Sequence, residues 1–237
     1  MKILAFDTSG RAVTAALQSD DALLGEVFLN IAQNHSVTLM PMIKRLLNDT
    51  GVGLPDITHI ACASGPGSFT GLRIGAGTAK ALAYALEIPI AAVPTLDALA
   101  YNVFDAHSII VPIMDARRGQ VYTAFYRVDE ERAGLERLTD YMAADISDVM
   151  AELPRFGKPA VFLGDAAPIY KDAIVNNSHG IKCALAPSPA LLQRASSVAA
   201  IGARMARNGD TTDSASFAPF YLRKPQAERE RERAANG

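Results

Sequence analysis

Residues 57–94 read ITHIACASGPGSFTGLRIGAGTAKALAYALEIPIAAVP, and the order of elements within them decides the fold. An apolar strand starting at Ile57 runs into the loop Ser64-Gly65-Pro66-Gly67-Ser68-Phe69-Thr70-Gly71. A small-residue helix follows from Leu72 to Leu86, and Ile90 to Val93 is a second apolar strand. With the strands and helix that precede it, this stretch gives the element order βββαβαβ.

At helical spacing, positions 72, 76, 79, 83 and 86 are Leu, Ala, Ala, Ala and Leu, and positions 74, 78, 81 and 85 are Ile, Thr, Ala and Ala. Charge is confined to one stripe of Arg73, Lys80 and Glu87. So narrow a charged stripe on a helix rich in Gly and Ala suits close approach to its own sheet, to another helix, or to both. The glycines at 65, 67 and 71 allow the loop either a tight strand-to-helix turn or a backbone cradle for an anion at the helix start. Three catalytic or cofactor motifs are excluded here. Gly71-Leu72-Arg73 lacks the Gly-Lys-Ser/Thr of a Walker loop, and the GxGxxxG spacing is one residue longer than the dinucleotide fingerprint. A nucleophile elbow needs Gly two residues before Ser64, where Cys62 stands.

Before this stretch, Ile3 to Phe6 is a buried strand closed by the turn cluster Asp7-Thr8-Ser9-Gly10. Ala12 to Leu17 and Leu23 to Phe28 complete a three-strand meander. A helix carried by Leu39, Met42, Ile43, Leu46 and Leu47 ends at Gly51, and Pro41 either begins it or kinks it. After the stretch the pattern restarts, because Ile109 to Met114 is again an apolar run ended by an aspartate, Asp115. Val121 to Val128 is its hairpin partner and Leu135 to Leu138 a third strand. Helices near Ile146 to Leu153 and Ile169 to Val175, strands Ala160 to Leu163 and Ile181 to Ala184, and a helix from Leu191 to Arg207 follow. Two βββαβα units define a duplicated ribonuclease H-like, actin-like (ASKHA) α/β fold. The expected lobes are 1–105 and 106–225, followed by a charged, disordered tail over 226–237.

Of the 237 residues, 49% are hydrophobic, enough for a sizeable core, and the net charge of −2 provides no broad basic surface for holding a polyanion. Two cysteines in apolar surroundings, Cys62 and Cys183, fit reduced core thiols, and the four histidines lack the spacing of a helical metal pair. The opening Met1 to Asp7 is too short for a signal peptide and no apolar run reaches membrane length, so a cytoplasmic protein is expected.

Asp7 and Asp115 are the leading polar candidates: facing strand ends could hold a cation or phosphates, or each could cap its own turn. Arg117 and Arg118 beside Asp115 suit an anion or acidic partner, or plain solvation. With Ser64, Gly65, Gly67 and Ser68, these residues form a candidate anion, nucleotide or inter-subunit site.

Six stretches carry a family resemblance: Ile3 to Ser9, His35-Ser36 through Ile43, Ser64 to Gly75, Pro94-Thr95-Leu96, Asp115-Ala116-Arg117 and Tyr221-Leu222-Arg223. Together they resemble the bacterial TsaB (YeaZ) family over nearly the whole chain. The resemblance implies a part in making N6-threonylcarbamoyladenosine in tRNA, as a non-catalytic subunit that pairs with the related transferase TsaD, joined by the ATPase TsaE. It also implies a homodimer when TsaD is absent, tRNA contact only through the complex, and no membrane. No cofactor of its own is implied, with a nucleotide at the complex interface left open. TsaD binds a metal through histidines spaced i and i+4. Laid on that helix, the two positions fall on Thr95 and Leu99, which cannot hold the site, so no metal is expected. The expected pairing face is Leu39, Met42, Ile43 and Leu46 with Leu72, Gly75, Ala76, Ala79 and Ala83. The competing readings are a nucleotide-dependent enzyme of the actin and sugar-kinase class using Asp7 and Asp115, and a peptidase-like hydrolase using Ser64 or Ser68.

Overall fold

The computed structural model describes residues 1–31, 34–129, 134–176 and 179–223; the tail expected over 226–237 lies outside the described residues. The first lobe opens with the antiparallel meander β1 (Lys2–Asp7), β2 (Val13–Ser19) and β3 (Ala22–Leu29). Helix α1 (His35–Thr50) starts where the Asn34 side chain accepts the Ser36 N–H. It ends at Gly51, whose left-handed backbone returns its N–H to Asn48 and Leu47. Pro41 sits inside α1 rather than at its start.

Strand β4 (His59–Gly65), helix α2 (Phe69–Leu86) and strand β5 (Ile90–Pro94) form a βαβ unit, with β1, β4 and β5 parallel. Helix α2 begins three residues before the apolar periodicity because Ser68 caps it, its side chain accepting the Gly71 N–H at 3.3 Å.

Helix α3 (Thr95–Ala100) crosses to the second lobe, where β6 (Ile109–Arg117) pairs antiparallel with β7 (Gln120–Thr123) and parallel with β11 (Ala160–Leu163). The expected hairpin strand over Val121 to Val128 is two strands. It breaks after β7, and β8 (Tyr126–Asp129) pairs with β9 (Gly134–Arg137) as an added hairpin. The outer position that β3 holds in the first sheet belongs here to β10 (Met142–Asp145), not to Leu135 to Leu138. The sheet orders are β3-β2-β1-β4-β5 and β10-β7-β6-β11-β12, the last strand being Cys183–Leu185, so the duplication is visible strand for strand.

Helices α4 (Ile146–Glu152) and α5 (Lys171–Val175) cover one face of the second sheet. The one-turn α6 (Ser188–Leu191) precedes α7 (Ala195–Asn208), which does not stay with the second lobe. Val198, Ala199, Ile201 and Ala203 pack on Ile3, Ala5, Ala61 and Ala91 of the first sheet. Gly202 allows this approach, since a Cβ there would stand 2.5 Å from that of Ala61. The lobe expected over 106–225 therefore loses its C-terminal part to the first sheet, whose inner face would otherwise expose those alanines and isoleucine to water. Phe217 likewise ends in the core of the first lobe. α3 lies between the sheets, with Ala98 toward the first and Leu96, Leu99 and Ala100 toward the second.

Candidate functional site

The two aspartates that end the first strand of each lobe have the same local geometry. Asp7 Oδ1 accepts the Ser9 N–H at 2.7 Å, and Asp115 Oδ1 accepts the Arg117 N–H at 2.7 Å. Each is an Asx turn that closes a β-hairpin. Beyond that the two differ. Asp7 is buried, and burial pushes its carboxyl above the ordinary value of 3.8, against the opposing Ser9 hydrogen bonds and the nearby His35. Asp115 is half-buried and pairs with Arg117 at 3.2 Å. A third carboxylate, Asp165, accepts the Asp115 N–H at 3.1 Å; burial raises its pKa, and the charge of Asp115 adds to this. Among the described residues, no group of three or more His, Cys, Asp or Glu side chains is placed to hold a metal.

The glycine loop is packed by its own chain. The Ser68 N–H donates to the Ser9 carbonyl at 2.7 Å. A Cβ on Gly67 would lie 2.6 Å from that carbonyl, and one on Gly71 would collide with the Thr8 carbonyl. Gly65, at φ +124°, abuts the Phe220 carbonyl, while the Phe220 N–H donates to Ser64. Of the two readings of this loop, the tight turn accounts for all three glycines. Ser64 is buried with its hydroxyl donating to the Val93 carbonyl at 3.0 Å, so it is not poised as a nucleophile.

Between the lobes lies a cleft of about 630 Å³. Of the expected anion-site residues it brings together Gly67, Ser68, Asp115, Arg117 and Arg118; Asp7, Ser64 and Gly65 lie outside its lining. It adds Arg11, Asp165, Tyr221 and Arg223, none of which was singled out for this site. Asp165 had a sequence signal, a carboxylate just past the apolar run Ala160 to Leu163, as at Asp7 and Asp115. Arg223 stood out only as part of the family-like stretch Tyr221 to Arg223, and nothing in the sequence placed it here, because only the returning chain carries it across to hydrogen-bond Gln120.

The expected pairing face is corrected by burial. Leu39, Met42, Ile43, Leu46, Ala76, Ala79 and Ala83 pack in this chain's own core with residues such as Leu4, Phe6 and Ile60, and Leu72 and Gly75 are buried on the same helix. In a layered α/β fold the apolar stripe of a helix covers its sheet first. The outward face of the same pair carries Val37 and Met40 on α1 and Gly77, Ala81 and Tyr84 on α2, all exposed. Thr95 and Leu99 are fully buried, and the Thr95 hydroxyl accepts the Gly65 N–H at 3.0 Å.

Two sheets of matching strand order, each with an aspartate turn and sharing the crossing helix α3, define a duplicated actin-like protein. The family described as "TsaD: tRNA N6-adenosine threonylcarbamoyltransferase" matches residues 23–231. The "tRNA threonylcarbamoyladenosine biosynthesis protein TsaB" of Bacillus subtilis is 36% identical over 228 residues, 96% of each chain. This chain belongs to the TsaB family of tRNA threonylcarbamoyladenosine biosynthesis proteins. The Escherichia coli protein of the same name is 38% identical over 132 residues, 55% of this chain and 57% of that one. The solved structure of YeaZ from Pseudomonas aeruginosa superposes with a TM-score of 0.81 at 27% identity, covering 93% of this chain and 99% of its own. No helix among the described residues is long and apolar enough to cross a membrane.

Proposed function

We propose that this chain serves tRNA threonylcarbamoyladenosine synthesis as a non-catalytic cytoplasmic subunit, docking onto TsaD through the outward face of α1 and α2, with TsaE joining the pair. Without TsaD, the same face pairs with a second copy, because proteins that share a fold can exchange places in an isologous contact. Its own chemistry uses no cofactor, and any nucleotide of the complex lies where subunits meet.

The observation that carries this reading is Gly77. It lies in the middle of α2 with open space around its would-be Cβ, so nothing in this chain requires a glycine there. Glycine in a helix interior costs about 1 kcal/mol relative to alanine, and close approach of a second helix accounts for it. Tyr84, 79% exposed, and Val37, 68% exposed, supply apolar area on the same outward side. The non-catalytic part is supported by Thr95 and Leu99, whose side chains are committed to packing and to the Gly65 N–H.

The test is Gly77→Leu. A leucine on an exposed helix face keeps the monomer folded, so at dilutions where the chain is monomeric its melting temperature is expected to hold or rise while co-elution with TsaD is lost. Co-elution equal to wild type would remove this face from the account. Reconstituted modification is expected to need TsaD, and modification of tRNA by this chain alone would end the non-catalytic reading.

A further inference from the structure

The outward face of α1 and α2 carries unbalanced charge of one sign. The charged residues of the two helices are Lys44, Arg45 and Asp49 on α1, and Arg73 and Lys80 on α2. The Arg45 guanidinium lies 3.3 Å from the Asp49 carboxylate one turn on, and these two charges cancel. Lys80 turns aside, its ammonium donating to the carbonyls of Ala215 and Phe217 at 3.1 and 3.0 Å. Lys44 and Arg73 remain. Both are exposed, and neither forms an ion pair among the described residues.

Both cations stand where a docked partner would cover them. Arg73 lies one turn before Gly77, about 6 Å along the helix axis, and its guanidinium sits 5.1 Å over the Phe69 ring, which restrains it. Lys44 shares the exposed stripe of α1 with Val37, Pro41 and Asn48. Glu87, the residue that caps the far end of α2, is about 15 Å along the axis from Gly77 and so does not offset them. A cation covered by an apolar or basic surface loses its water and gains no partner. An isologous contact puts the same surface on both sides, so a second copy of this chain would bring two more cations to meet these two.

We propose that Lys44 and Arg73 set the partner preference of this face, selecting a helix surface that presents carboxylates opposite them and discriminating against a second copy of this chain. The inference rests on the reading that TsaD docks on the outward face of α1 and α2, and it adds the chemistry of the opposing surface. Gly77, Val37 and Tyr84 supply close approach and apolar area, which either partner could use. The two cations supply the difference between partners, because opposite charges across a contact gain charge-assisted hydrogen bonds and like charges repel.

Analytical ultracentrifugation of the full chain, alone and with TsaD, at about 50 mM and about 500 mM sodium chloride tests this. Added salt is expected to weaken pairing with TsaD about tenfold and to leave self-association unchanged or stronger. The double variant Lys44→Glu with Arg73→Glu is expected to bind TsaD about 100-fold more weakly, and to pair with the wild-type chain more tightly than wild type pairs with itself. The neutral double variant Lys44→Gln with Arg73→Gln should strengthen self-association. All four replacements are on exposed side chains, and thermal melts of both variants establish folding independently. Salt-insensitive pairing with TsaD, self-association that salt weakens as steeply, or wild-type affinity of the charge-reversed variant for TsaD overturns the proposal. If Gly77→Leu abolishes co-elution while the charge-reversed variant still binds TsaD as wild type does, the docking face stands and this inference alone falls. If Gly77→Leu leaves co-elution intact, both fall.

Discussion

Thr8 and Gly71 interlock. The Thr8 hydroxyl donates to the Gly71 carbonyl at 2.7 Å, and the Thr8 carbonyl occupies the space a side chain on residue 71 would need. The turn after β1 and the start of α2 are thereby fixed against one another, and with them one rim of the inter-lobe cleft. Because the obstructing atom is backbone, it cannot swing aside. Gly71→Ala is expected to destabilise the chain by about 3 kcal/mol, read from urea denaturation. A near-neutral result would mean that the interlock is looser than its geometry.

Gly77 on the same helix behaves oppositely, since a Cβ there meets nothing. At dilutions where the chain is monomeric, Gly77→Ala should raise its stability by about 0.5 to 1 kcal/mol, visible as a small upward shift of the melting temperature. A fall would show that the glycine serves the monomer.

Burial of Asp7 disfavours its charged form. Its folded pKa lies above the unfolded value, so at neutral pH ionisation weakens the folded state, and the penalty fades as pH drops through the raised folded pKa toward 3.8. Asp7→Asn keeps an acceptor for the Ser9 N–H and removes the charge. Its melting temperature should exceed that of wild type at pH 7, and the difference should shrink on acidification below the folded pKa. A variant less stable than wild type at pH 7 would show that the carboxylate has a partner that the asparagine cannot replace.

Asp97 ties the lobes. Its Oδ1 accepts from the Tyr126 hydroxyl at 2.8 Å and the Tyr141 hydroxyl at 2.7 Å, joining α3 to β8 and to the loop after β9. Burial first, and then the charge of Asp97, raises both phenol pKa values above 10. Folded phenols thus keep protons that unfolded ones release, and stability should fall as pH climbs above 10. Tyr141→Phe should flatten that alkaline loss. Asp97→Ala, leaving the hydroxyls of buried Tyr126 and half-buried Tyr141 without their acceptor, should cost about 2 to 3 kcal/mol. Unchanged alkaline melts in Tyr141→Phe would rule out this phenol as their source.

Ser64 gives the hydrolase reading a direct check. Ser64→Ala removes one buried hydrogen bond to Val93 and should lower stability by about 1 kcal/mol. An esterase or peptidase activity that vanished in this variant would revive the nucleophile.

Periodicity in the chain was sufficient for the strands of the first lobe, for α1 and α2, and for the repeat marked by Asp7 and Asp115, because side-chain alternation and helical stripes are local consequences of which face meets water. It misread β10 and the split between β7 and β8, where four-residue strands are too short for alternation to register. It also took the apolar stripes of Leu39 and Ala79 for a docking face. An apolar stripe states that something covers it without saying whether that is the same chain's sheet or another molecule.

Local order and its duplication therefore came from the amino-acid sequence alone, as did the family, through runs such as GPGSFTGLRIG. Tertiary structure alone decided that α7 returns to the first sheet, that the glycines of that run meet Thr8, Ser9 and Phe220, and that Arg11, Arg118 and Tyr221 share a cleft. These are contacts between residues far apart along the chain. Their partners are selected by shape and burial in the folded state, which no spacing within a single segment encodes.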